Sequence, residues 1–192
     1  MTTYRIADLL DTAAARAVPL VRDTADDDLG APTPCADYDV RGLLDHLTHV
    51  IVNFQLLAAK QPSDFSGEPD YLADPDWSAR FEKEAAKLVA AWAEPGADQG
   101  TTGAMDMPAR TVASMVLLDL TVHAWDLARA TGRTFEPDPV VVTELTGEVE
   151  RMAPTARAMG VFGEPVELPA GAPAFERLLA VTGRDPREWP VA

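Results

Sequence analysis

Apolar residues recur at spacings of three and four along most of this 192-residue chain, the period that lays a single stripe on an α-helix. No set of alternating segments suffices for a sheet, so the pattern predicts a mainly α protein. A first helix over about Tyr4 to Asp23 would turn Ile6, Leu9, Leu10, Ala13, Ala14 and Val18 to one side, with Pro19 a place for a kink. Asp39 stands where an N-cap belongs, and a second helix follows to about Lys60 with Leu43, Leu47, Val50, Phe54 and Leu57 in its stripe. A third runs from about Trp77 to Ala93, with Phe81, Ala85, Leu88 and Trp92 inward, and EPG ends it. A fourth starts near Pro108, a favoured first-turn position, and stops at Gly132. A fifth spans about Pro139 to Met159, with Pro154 an expected break, and a short helix near Ala174 to Thr182 sits in a Pro-rich tail that wraps the bundle.

Two connections stand out. PSDFSGEPDYLADPD, residues 62–76, is turn-rich and of a length that is uncommon without a job, so it could cover a cleft. Residues 96–107 are Gly-rich, with room for a short extended piece.

Composition narrows the partners. With 31 acidic and 16 basic side chains the formal net charge is −15, which repels phosphate backbones and anionic lipid headgroups, so neither nucleic acid nor membrane is an expected partner. The first twenty residues have acids and arginines inside their apolar pattern and lack a signal peptide's uninterrupted stretch. No segment is expected to reach the roughly 18 apolar residues of a membrane span. Cys35 is the only cysteine, which leaves no intrachain disulfide and no Cys-based zinc site. A cytoplasmic protein is expected, and the length suits one domain.

The candidate chemistry lies in three histidines. His46 and His49 fall in YDVRGLLDHLTHV, and His123 in LLDLTVHAWDLARATG. Asp119 and His123 are four apart, about 40° around a helix and about 6 Å along it, so they can converge on one ion. A third ligand would come from a facing helix, as in other bundles. His46 lies within the apolar stripe, whereas His49 is about 60° round from it, toward the rim. A histidine on an apolar face is often a hydrogen-bonded core residue instead. Asp119 inside MVLLDLTV is more telling, because a carboxylate in an apolar run needs a partner or a cation. His123 could itself be that partner, and spacing alone leaves both readings open.

TPCADYDVRGLLDHL together with LLDLTVHAWDLARATG resembles the paired signatures of the mycothiol-dependent maleylpyruvate isomerase metal-binding family, of the DinB/YfiT-like superfamily. The resemblance covers about residues 5–135. The tail from FGEPVELP to LLAVTGRDP is similar to a shorter actinobacterial branch of unassigned reaction. It implies an all-α, DinB-like four-helix bundle over residues 1–135, with residues 136–192 a helical and irregular extension of the same domain. It also implies a divalent metal, zinc or nickel, held by His46 from the second helix and by Asp119 and His123 from the fourth. Two departures matter: Asp119 stands where the isomerase has Glu, and residues 136–192 are expected to hold no counterpart of the isomerase's sizeable C-terminal domain.

The neighbouring residues have plainer readings. His49 matches no ligand position and is expected at the rim of the site or behind its ligands. Asp126 could accept from a ligand or pair with Arg129, helical pairing being the commoner role. Trp125 and Cys35 read as packing, since no basic residue near Cys35 in sequence would activate its thiol. Three protein ligands leave open positions that can bind a thiol or water and lower its pKa. The resemblance thus implies a small-molecule enzyme with mycothiol as cosubstrate, a transferase or isomerase. A metal-dependent hydrolase and a non-catalytic metal-binding protein with a degenerate site are the alternatives, and a homodimer is an expected assembly.

Overall fold

The structure is a computed structural model that describes residues 4–189. Its helices are α1 (Ile6–Arg22), α2 (Val40–Ala58), α3 (Trp77–Ala93), α4 (Ala109–Ala130), α5 (Pro139–Ala158) and α6 (Ala174–Val181). The remaining regular structure among the described residues is slight: two single 3₁₀ turns, and the antiparallel pair β1 (Thr101–Thr102) and β2 (Met107–Pro108). This is the all-α bundle that the apolar period predicts.

Two helices start on a side-chain cap. Asp39 caps α2 by accepting from the Gly42 amide at 2.8 Å, and Asp138 accepts from Val140 N–H at 2.9 Å at the start of α5. Phe81, Ala85, Leu88 and Trp92 are the buried face of α3. Helix α1 packs on α3 and α4, and α2 packs on the same two helices, so a continuous core fills the space among the four. Helix α5 lies against α4 and α1, and α6 docks on α5.

Three expectations change. Pro154 does not break α5, which runs through to Ala158. The residue is exposed, so its ring faces water and the cost is one missing amide donor. Helix α4 has the length and mean hydropathy (1.2) of a membrane-crossing segment, contrary to the expectation that none would. Some 83% of that window is buried inside the bundle, which accounts for its apolarity. The expected ion pair between Asp126 and Arg129 is also absent, for reasons given below.

The 62–76 connection is tied to α2 at both ends. Asn53 accepts from Asp64 N–H at 3.0 Å, and Asp45 accepts from the amides of Tyr71 and Leu72 at 2.7 and 3.2 Å. Burial pushes the Asp45 carboxyl up, and those two amide bonds partly offset it.

Candidate metal centre

Helix α4 is buried on nearly every side, yet it carries Asp119, His123 and Asp126. Asp126 is fully buried, and its carboxylate accepts from His123 Nδ1 at 2.9 Å. It also accepts two bonds from Arg184, Nε to Oδ1 at 2.8 Å and Nη2 to Oδ2 at 2.7 Å. Burial opposes the charge on Asp126, but the bonds from His123 and Arg184 outweigh it and hold the carboxyl below its usual range. An ionised Asp126 only accepts, so Nδ1 of His123 is the donor to it, and in the neutral tautomer that this bond selects Nε2 is the bare nitrogen.

That Nε2 lies 4.0 Å from Asp119 Oδ1. Among the described residues, no donor stands within hydrogen-bond distance of the Asp119 carboxylate. Burial pushes its carboxyl up, and His123 and Arg184 offset this only in part. The side chain is still 30% accessible, through a cavity of about 790 Å³ that His46, Asp119, His123, Cys35 and Arg184 also line.

His46 enters the same cavity from α2. Its ring stands edge-on to His123 with centroids 5.2 Å apart. Tyr38 stacks on its other side at 4.8 Å and places its hydroxyl 3.1 Å from Nδ1. Burial, with the neighbouring His123 and His49, pushes the His46 pKa down to about 4, so the ring is neutral at physiological pH and Nε2 is its uncommitted atom. Tyr38 is held in turn by Thr33, whose hydroxyl donates to the Tyr38 carbonyl at 2.8 Å and accepts from Cys35 N–H at 3.1 Å.

His49 is placed apart. It sits against Asn53, whose amide donates to the His49 carbonyl at 3.1 Å, and its ring meets Phe65 and Tyr71 beneath the 62–76 connection. Cys35 is closer to the chemistry than its sequence neighbours imply. Its sulfur, one His123 ring nitrogen and one Asp126 oxygen all lie within 4.8 Å of one another. The thiol is half-buried, and burial pushes its pKa up with Arg184 offsetting only part. A protonated thiol is the wrong state for a nucleophile.

Two ligand sets therefore compete for an ion. In the Cys35, His123 and Asp126 cluster, both Asp126 oxygens are already held by a guanidinium, which would repel a cation. The set of His46, Asp119 and His123 offers two imidazole nitrogens and a carboxylate with no such commitment, the donor chemistry of a divalent ion with open positions. Two ligands of one tetrahedral ion sit about 3.3 Å apart, so the 4.0 Å between His123 and Asp119 asks that pair for a closure of less than an angstrom; with His46 the set is wider, and among the described residues the three-ligand group within 4.8 Å is Cys35, His123 and Asp126.

Arg184 was not among the sequence candidates. It follows α6, 58 residues from Asp126, at a crossing of two chain segments. Gly183 has φ +93, and a Cβ there would meet Gly163 Cα at 2.6 Å. Only glycine permits that approach, which brings the next residue against Asp126. Arg129 instead packs over Trp125 at 5.3 Å and donates to the Pro186 carbonyl at 3.3 Å.

A helical bundle that gathers imidazoles and carboxylates at one cavity is a candidate metal-binding protein. The family model of the mycothiol maleylpyruvate isomerase N-terminal domain matches residues 10–128, and the chain belongs to that family. It is also similar, at 29% identity over 175 residues, to two uncharacterized proteins from two strains of Mycobacterium tuberculosis. The match covers 88% of this chain and 91% of each relative. No solved structure matches the chain. Arg184 lies outside the span that the family model covers.

Proposed function

We propose that the protein is a metal-dependent enzyme that activates a low-molecular-weight thiol of the mycothiol type for transfer or isomerisation. His46, Asp119 and His123 would hold a divalent ion, zinc or nickel. The observation that carries the reading is the orientation of His123: Asp126 and Arg184 fix its Nδ1, so that Nε2 faces Asp119 in a cavity shared with His46. Such indirect anchoring is typical of metal-bound imidazoles. A divalent ion there would act as a Lewis acid with open positions, lowering the pKa of a bound thiol.

The chain's own residues support this chemistry in separate ways. His46 stays neutral without help from an ion, so its nitrogen is available for coordination. Asp119 is a carboxyl without a close protein partner, its pKa raised by burial, and a cation there would hold it ionised. Tyr38 restrains the His46 ring and keeps its hydroxyl at the cavity wall.

Elemental analysis of the purified protein tests the reading, alongside His46→Ala and Asp119→Ala. About one zinc or nickel per chain, lost in both variants, is the expected result. Mycothiol titrated into the loaded protein should then give a saturable heat signal. Metal retained in both variants, or no thiol binding to the loaded protein, sinks the proposal.

A further inference from the structure

The chain has six methionines, and the five beyond Met1 all line the cavity above His46, Asp119 and His123. They arrive from separate elements: Met105 and Met107 from the β1–β2 hairpin, Met115 from α4, Met152 from α5, and Met159 from the turn after it. Unbranched thioether side chains fill irregular space and adapt to what enters, which suits a wall that must receive a ligand rather than pack a core. Phe65, from the 62–76 connection, and Val161 complete the mouth.

Exposure points the same way. Six large apolar side chains are exposed among the described residues, and four of them, Phe65, Met105, Met159 and Val161, line this one cavity. Met105 is 66% exposed, Met159 62% and Val161 67%. Scattered exposed apolar residues need no explanation, but their convergence on a concave site marks binding.

Charge restricts the ligand further. Two arginines line the cavity and each already has a carboxylate: Arg184 holds Asp126, and Arg151 holds Glu148. Asp37, Asp119 and Glu148 also line it; with Glu148 taken by Arg151 and Asp119 by the ion proposed above, a small dianion would still meet Asp37 and no uncommitted guanidinium. It would forfeit its hydration without recovering equivalent bonds.

We propose that the cavity takes an uncharged, mainly apolar substrate of at least two fused rings' bulk, its body against the methionine wall and its reactive end toward His46, Asp119 and His123. The assignment of that reactive end rests on the function proposed above; the ligand class rests on the wall alone. The volume of about 790 Å³ is within the range of sites for drug-sized molecules.

The test uses N-phenyl-1-naphthylamine, an uncharged apolar dye that brightens in dry surroundings, titrated into the full chain with and without zinc. Saturable one-to-one binding is expected. It should weaken about tenfold in Met105→Lys and in Met159→Lys, whose circular dichroism and melting should match wild type because both side chains are exposed. Maleate, a small dianion, should not displace the dye from the zinc-free chain. Absence of saturable binding, equal affinity in both variants, or displacement by maleate overturns the proposal. Elemental analysis reads the metal separately. Dye binding to a protein that takes up no zinc would sink the catalytic reading alone, and zinc uptake without dye binding would sink this one alone.

Discussion

The α1–α3 side of the bundle and the α2–α4 side use the same helical geometry for opposite ends. Leu10, Ala13 and Ala17 on α1, and Phe81, Ala85, Leu88 and Trp92 on α3, form buried faces made of apolar residues. On α2 and α4 the apolar stripes are interrupted by His46, Asp119, His123 and Asp126. Apolar burial contributes stability wherever it occurs, whereas buried ionisable groups cost desolvation unless each has a partner. Both sides thus contribute apolar burial, and the second also carries ionisable groups whose burial costs stability unless each is partnered.

Phe81→Ala attacks the first side. It should lower unfolding free energy by about 3–5 kcal/mol in chemical denaturation, while metal bound per folded molecule stays unchanged. Asp126→Asn attacks the second, leaving the Arg184 guanidinium without its buried counter-charge. The expected loss is about 2–4 kcal/mol, accompanied by metal affinity weakened roughly 10–100-fold in competition with a chelator. If Phe81→Ala lost the metal and Asp126→Asn kept it, the division between the two sides would fail.

His46→Ala sharpens the contrast, since it should abolish stoichiometric metal yet change the stability of the metal-free protein by about 1 kcal/mol or less. A metal-free protein that unfolds on this substitution would make His46 structural. The smallest effect concerns pH. In metal-free wild type the folded pKa of His46 is depressed to about 4 from 6.5, so the unfolded chain binds more protons between those values. Stability should therefore fall as pH drops below about 6.5 and level off below about 4, by roughly 1–2 kcal/mol after allowance for partial exposure. Denaturation midpoints in EDTA across that window measure it, and His46→Ala should flatten the slope.

Much of this was legible in the linear chain. The face of α3 was readable residue by residue, because burial along a helix repeats every 3.6 residues and nothing distant is needed to see it. The Asp39 cap was readable for the same reason, being a bond spanning three residues. His46, Asp119 and His123 were nameable from spacing and resemblance, and all three line one cavity. Arg184 was hidden. It is one of thirteen arginines, and its selection depends on the Gly163–Gly183 crossing rather than on any local pattern. Cys35 reads as packing in the linear chain for a similar reason, since the groups around its sulfur lie on α4 and in the tail.

The sequence by itself determined the helices, their inward faces and the candidate ligands, because periodicity and capping act over a few residues. Only the tertiary structure decided that Asp126 answers to Arg184 rather than Arg129, that His49 stands beneath a connection away from the other two imidazoles, and that five scattered methionines share one cavity. Those outcomes depend on where separate segments meet. Helix packing fixes that meeting in three dimensions, and no spacing along the chain records it.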